Sequence, residues 1–377
     1  MTISTTGSLS DSLPSALTPR PHHPVLRRAP EALQFGVGPG GAVELSGGCP
    51  ELRQLLVGWH GGQRVDDVVE RAVRAGVNAA AVRGALAELH AAGALVDAAG
   101  PRRVAEARAS STALVTGNGP LVAAVAAGLA LAGVGRIAVV TSGTVLAEDV
   151  GAFASSERGH PRQVAAIEAV RRVAPEVRCE SGVPRGRLDL AVLTDMLHPA
   201  RPSSLIRQVP HLVVRVVDGV GLIGPLVLPG RSACLRCIDL HCAERDSCWP
   251  TVAADLAGRV GSGSQATCAA TAAIATEQAL MAMDAMITAG PAPPTLDGVL
   301  ELDTKRGTLR RHRWQSHPGC DCGAASGAPN AFATKTSKKR GITPHPHKDR
   351  ASSGQEVDNH HRERHTSRRG PTDRETR

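Results

Sequence analysis

Cys234-Leu235-Arg236-Cys237 and, more than eighty residues later, Cys320-Asp321-Cys322 are two short thiol pairs on one chain. Four thiolates from two turns can close a tetrahedral shell around zinc, and a closed shell leaves no coordination position for substrate. Such a centre is a staple that ties a distant segment back onto the core. The alternative is four buried free thiols, and the single residue between Cys320 and Cys322 is tighter than the usual two. His241 and His317 flank the pairs, either as stand-ins for a cysteine in the shell or as histidines beside it.

Gly117-Asn118-Gly119-Pro120 is a second candidate. A glycine loop between a strand and a helix can cradle phosphate on backbone N–H groups, which makes Gly117 and Gly119 candidate nucleotide-binding residues. Pro120 has no N–H to donate, and Val122 stands where a third glycine would let the helix pack close. The rival is a Rossmann-like domain with a vestigial pocket. Asp195, after an apolar run ending at Thr194, is a candidate catalytic carboxylate that could hold magnesium, or an ordinary strand-end acid. Cys242, Cys248 and Cys268 are candidate acyl-accepting nucleophiles, or inert buried thiols.

These residues belong to a chain of 377, enough for two to three domains of roughly 100–200 residues. Hydrophobic content is 42%, aromatics are 2% and tyrosine is absent, so the core must be Ala, Val and Leu. Base-stacking and carbohydrate platforms, which need aromatic faces, are excluded. There are nine cysteines, and no charged-then-apolar segment opens the chain. A cytoplasmic, reducing setting follows, in which paired cysteines more often bind metal than form disulfides. The longest apolar run, 121–134, is too short to span a bilayer. Net charge is +8, of which residues 323–377 supply +6, twelve Lys/Arg against six Asp/Glu. No lysine precedes Lys305.

Four regions follow from the patterning. Residues 1–23 are Ser/Thr-rich and read as disordered. Within 24–100, residues 32–45 alternate around Gly38-Pro39-Gly40-Gly41 as a hairpin. Helices are expected over 51–59, 65–75 and 80–92, with a strand at 94–96. Hairpin, helix, turn, helix, strand is a winged-helix-like arrangement. Residues 101–110 read as a charged linker. Over 111–322, strands at 112–116, 136–141, 189–194, 211–217, 221–228 and 298–303 interleave with helices at 120–132, 162–173 and 265–289. That is an α/β fold with a Rossmann-type doubly wound sheet. Residues 323–377 read as a disordered basic tail.

The order of strand, glycine loop, Ala-rich helix, strand, Cys-x-x-Cys arm and late cysteine pair resembles the ThiF-type, ubiquitin-activating-like superfamily. More narrowly, Gly224 to His241 resembles actinobacterial ThiF-like proteins of thiazole/oxazole-modified peptide (bacteriocin) biosynthesis. The resemblance spans about residues 24–322. It implies that Cys234, Cys237, Cys320 and Cys322 are zinc ligands and that residues 24–97 take a precursor's leader peptide as an added strand. It also implies a partner cyclodehydratase and a homodimer. Active members of the superfamily adenylate a carboxylate, holding ATP with an acidic residue after the second strand, an Asn-Arg-Gln-like set, a lysine and an aspartate for magnesium. Here the second strand ends Val140-Thr141-Ser142-Gly143, and the following stretch has Arg158, Arg162 and Arg171 but no lysine. The expected function is therefore leader-peptide recognition with most ATP and magnesium chemistry lost. An ATP-dependent adenylyltransferase is the alternative. A winged-helix DNA binder is disfavoured, because residues 21–100 hold seven arginines against eight acids and phosphate contacts need a basic face.

Overall fold

A computed structural model describes residues 2–4, 13–38, 42–47, 49–149, 151–195, 207–288 and 290–326. The N-terminal part contains β1 (Thr2–Ser4), β2 (Ala16–Pro19), β3 (Val25–Ala29), β4 (Ala32–Phe35), β5 (Val43–Ser46), α1 (Pro50–Val57), β6 (Gln63–Arg64), α2 (Val65–Arg74), α3 (Ala79–Ala91), β7 (Leu95–Asp97) and α4 (Gly100–Ser110). The β4–β5 pair is the expected hairpin, with Ala32 opposite Ser46 and Phe35 opposite Val43; its tip at 39–41 lies outside the described residues. It builds one sheet, ordered β1-β5-β4-β3, while a second is ordered β6-β2-β7. The two sheets and helices α1 to α3 share one core of Leu17, Leu33, Phe35, Leu56, Val68, Leu86, Leu89 and Leu95. Asn78 starts α3 by accepting the N–H groups of Ala80 and Ala81 on its side chain, the usual way to satisfy orphan donors at a helix start.

Two expectations are corrected here. Ala16–Pro19, inside the segment read as disordered, is a strand paired on both sides, with Leu17 fully buried. A single apolar residue among Ser, Thr and Pro carries no periodicity, so pairing with distant partners decides its state. Residues 5–12 lie outside the described set. The charged linker is the helix α4, which buries none of its residues. Ion pairs Arg102–Glu106, Arg103–Asp97 and Arg108–Asp284 line it, and the last of these reaches across to the other core. Charge masked a helix that packs through arginine rather than through an apolar stripe.

The rest is a mixed α/β unit: β8 (Thr112–Thr116), α5 (Pro120–Leu131), β9 (Arg136–Val140), α6 (Arg162–Val173), β10 (Arg178–Ser181), β11 (Leu190–Leu193), β12 (His211–Val217), β13 (Val220–Val227), α7 (Leu235–Arg245), α8 (Trp249–Leu256), α9 (Gln265–Thr288), β14 (Gly298–Asp303) and β15 (Thr308–Arg313). The eight strands run in the order β10-β9-β8-β11-β12-β13-β14-β15. Neighbours from β10 to β12 are parallel; the last three pairs are antiparallel. One sheet face meets α5, α6 and α9 in a core of Ala, Val and Leu, as a chain poor in aromatics requires. On the other face Leu114, Ala138, Ala191, Leu193 and Val213 form a smaller cluster joined by Leu235. Of the expected basic tail, all but residues 323–326 lie outside the described set. No helix among the described residues is long and apolar enough to cross a membrane.

Topology places the candidates. Strand order reverses between β8 and β11, so the loops leaving their C-terminal ends diverge and open a crevice, the usual ligand position in such sheets. Gly117–Gly119 follow β8, and Asp195 follows β11. At the other side, β13 and β15 both run antiparallel to β14. They therefore run parallel to each other and end at the same edge of the sheet. The segments after them carry Cys234 and Cys237, and Cys320 and Cys322.

Candidate metal centre and glycine-loop site

Cys234 is the residue before the first turn of α7, and Cys237 lies within that turn. Asp297 accepts the Ala233 N–H at 2.8 Å, and Ser232 accepts the Leu228 N–H at 2.8 Å; both hold the segment entering α7. The second pair sits in a turn closed by the Cys320 N–H donating to the His317 carbonyl at 3.0 Å. The sulfurs of Cys234 and Cys237 are 3.8 Å apart, those of Cys234 and Cys320 3.7 Å, and those of Cys237 and Cys322 3.6 Å. These are far beyond a disulfide's length of about 2.05 Å. A tetrahedron with metal–sulfur bonds of about 2.3 Å has edges of about 3.8 Å. All four donors lie within 4.8 Å of one another. The donor set fits zinc, and bound zinc would supply a closed structural crosslink.

The electrostatics agree with that fit. Burial pushes the Cys320 thiol up to about 11 and raises Cys234 as well. Burial also opposes ionisation of Cys237, but hydrogen bonds from the backbone of His317 and Cys234 and from the Cys322 and Cys320 thiols bring it below its ordinary value. Ionising all four together requires a compensating cation.

Neither histidine stands in for a cysteine. The His241 Nε2 faces the Gln315 carbonyl at 3.1 Å, which can only accept. The His317 Nδ1 accepts the Gly319 N–H at 3.0 Å, which puts the ring proton on Nε2, 2.8 Å from Glu244. That hydrogen bond holds the Glu244 carboxyl below its usual range. The trio of His241, Glu244 and His317 is thus a hydrogen-bonded buttress between α7 and the second cysteine turn.

At the crevice, the glycine loop and Asp195 meet directly. The Asn118 N–H donates to Asp195 Oδ1 at 2.7 Å. The Asn118 side-chain oxygen accepts from the Ser142 N–H at 3.0 Å and the Thr141 hydroxyl at 3.2 Å. Asn118 therefore links the ends of β8, β9 and β11. Gly117 has φ 134°, and a Cβ there would collide with the Thr194 hydroxyl; only glycine lets β8 and β11 approach this closely. Gly119 has φ 83°, and its missing Cβ would lie 2.6 Å from Val260. Burial raises the Asp195 pKa, against the Asn118 N–H and the charge of Arg162. The Thr141 N–H, at the end of the second strand, donates to Gln163 at 3.1 Å. Arg162 pairs with Asp149 at 2.8 Å, both almost fully buried.

The sequence singled out Asp195, Gly117, Gly119 and Arg162, and the fold brings them together. Asn118, Gln163 and Asp149 were missed. An Asn between two glycines reads as turn chemistry, and nothing local marks Gln163 or Asp149 as partners of residues on other strands. Asn118→Ala should cost about 1 kcal/mol, because it removes the side-chain bonds to the part-buried Thr141 hydroxyl and the Ser142 N–H while keeping the backbone bond to Asp195; chemical denaturation measures this. Burial raises the Cys242 and Cys268 thiols, the opposite of activation.

No family model matches the chain, and no curated protein matches it in sequence. Solved structures do match. Crystal structures of E. coli MccB superpose with TM-scores near 0.60. The complex with AMPCPP and MccA is 11% identical, covering 81% of this chain and 99% of MccB. The complex with ATP is 12% identical, covering 82% and 99%, with TM-score 0.59. The chain has the fold of MccB. That is the ThiF-like fold the sequence resemblance implies. The heterocyclase TruD also matches, at 21% identity and TM-score 0.54, over 82% of this chain but only 43% of TruD. The MccB likeness spans nearly all of MccB, and so takes in both the N-terminal part and the eight-stranded sheet.

Proposed function

We propose that this chain is a recognition protein of ribosomal peptide modification. Its N-terminal module, residues 24–100, is winged-helix-like, binds a precursor's leader peptide as an added strand and presents it to a separate cyclodehydratase. Residues 111–322 form the ThiF-like body, stapled by zinc on Cys234, Cys237, Cys320 and Cys322. MccB, whose fold it shares, is a microcin C7 biosynthetic enzyme crystallised in complex with N-formylated MccA, and TruD is a heterocyclase.

The observation that carries the reading is the edge of β3. Among the described residues β3 pairs only with β4, and its residues after Val25 are exposed. The Gly36 N–H donates to the Pro24 carbonyl. Alternation along an antiparallel pair then turns the N–H groups of Val25 and Arg27 outward, where an extended peptide can pair with them. Arg27→Pro removes one outward donor while leaving the β3–β4 ladder, since edge strands tolerate proline. It should weaken binding of a labelled precursor about tenfold or more, with unchanged melting and no need for nucleotide. Undiminished affinity in Arg27→Pro sinks the docking at this edge.

The second reading is an active ATP-dependent adenylyltransferase. It rests on MccB structures that hold ATP or AMPCPP and on Asp195 lying at the mouth of the glycine loop.

A further inference from the structure

A cleft of about 730 Å³ opens beside the cysteine centre, and nothing in the leader-peptide reading uses it. Its walls come from the segment entering α7 (Arg231), the connection before β14 (Pro293, Pro294) and the end of β15 with its continuation (Arg311, Arg313, Trp314). Pro293, Leu296 and Ala233 are buried beneath it. Arg231 and Arg313 are exposed, and neither has a carboxylate partner among the described residues. Arg311 is pinned, donating to the carbonyls of Pro294 at 2.6 Å and Leu296 at 3.0 Å. Arg245 lies over the Trp314 ring, 5.4 Å from its centre. The one acid in the lining, Asp297, is occupied by the Ala233 N–H at 2.8 Å. The body of the chain is near neutral in net charge, so this is a local concentration of cations around an apolar floor.

β15 runs into that cleft. It is the last strand in the sheet order and pairs only with β14 among the described residues. Its residues alternate in facing: Arg311 and Arg313 share one side, while Arg310 and His312 share the other. His312 is engaged by Glu301 at 3.0 Å, whereas Arg310 has no such partner among the described residues. Charged side chains commonly keep a free edge from pairing with copies of itself. The same edge admits a strand of opposite charge, because main-chain pairing then comes with charge complementarity.

The geometry points to a docking site for an acidic, extended polypeptide segment, seated on Arg231, Arg313 and Trp314 and continuing along the edge of β15. The chain's own C-terminal region is excluded by charge, since residues 323–377 carry net +6. A nucleic acid is a poorer fit: the outer edge of β15 offers main-chain donors and acceptors, which complement a peptide, and one indole is a small stacking platform. The site lies on the opposite part of the chain from β3, so it does not depend on the leader-peptide reading.

The test uses the full-length protein and fluorescence anisotropy with a labelled octapeptide of alternating glutamate and valine. Its lysine–valine counterpart and a single-stranded oligonucleotide serve as comparisons. The acidic peptide should bind and the basic one should not. Arg231→Glu combined with Arg313→Glu should weaken binding at least about tenfold, and Trp314→Ala, which leaves the charge unchanged, should weaken it too. In the arginine double variant melting temperature and metal content should stay at the wild-type values, and precursor binding at β3 should be untouched. Three results would overturn the inference. One is no binding at millimolar peptide. Another is equal affinity in the double variant, which assigns binding to the basic C-terminal region. The third is an oligonucleotide that binds more tightly than the peptide through the same two arginines.

Discussion

Cys234→Ser or Cys320→Ser should strip the chain of metal and of much of its stability. The sulfur–sulfur distances of 3.6 to 3.8 Å leave a space matched to one zinc, so purified wild-type protein should carry about one zinc per chain. Structural zinc is worth on the order of 10–16 kcal/mol of binding free energy in small folds, and that energy is part of folding. In this chain the large Ala/Val/Leu core is separate from the cysteine cluster. The small cluster of Ala233, Cys237 and Cys320, with Trp314 and Leu240 against it, does not have the apolar area to replace it. Serine is a poor zinc ligand and leaves an incomplete set of three thiols. A loss of ~4 kcal/mol would lower the melting temperature by roughly 6 °C in a chain of this size. Elemental analysis together with calorimetry reads both effects. Metal-free wild-type protein, with unchanged melting in both variants, ends the zinc assignment.

How far the site could be read in advance depended on whether its cause was local. The two cysteine pairs are local patterns and were legible at once. Their meeting was not, because it depends on β15, whose run Thr-Leu-Arg-Arg-His-Arg has no apolar alternation. A strand exposed on both faces at a sheet edge leaves no hydrophobic period to find. The buried elements were easier: strands β8, β12 and β14 and helix α6 fall at their expected limits, because apolar runs such as Thr-Ala-Leu-Val-Thr stand out from the turns around them. The hairpin of β4 and β5 was also visible from its glycine turn. Its place was not, since the strand at Leu95–Asp97 pairs with β2 rather than with the hairpin, and pairing across nearly eighty residues leaves no mark in composition. Asn118 was hidden for a related reason. Its importance lies in reaching three strand ends at once, a property of the strand order rather than of its neighbours in sequence.

Pyrophosphate exchange with ATP should be undetectable, at any concentration of peptide. The phosphate-cradling amide of Asn118 is held at 2.7 Å by the chain's own Asp195 carboxylate. A phosphate arriving there must displace an anion and then lie beside it. Pro120 supplies no further N–H. The second strand ends Val140-Thr141-Ser142-Gly143, so no carboxylate stands there to receive ribose hydroxyls, and the Thr141 N–H is satisfied by Gln163. The nearest cation, Arg162, is committed to Asp149 in a buried pair, and no lysine precedes Lys305. Adenylyl transfer needs cations around a charge-rich transition state, and groups that act as a unit cannot be dispensed with one at a time. Asp195→Asn separates the two functional readings. In the recognition protein it leaves exchange absent and precursor binding unchanged, because Asp195 then only ties β11 to the glycine loop. In an adenylyltransferase the wild type shows exchange, and Asp195→Asn or Asp195→Ala abolishes it through loss of the magnesium carboxylate. Robust wild-type exchange that vanishes in these variants would overturn the recognition reading and make Asp195 a catalytic residue that leaves Asn118 when ATP binds.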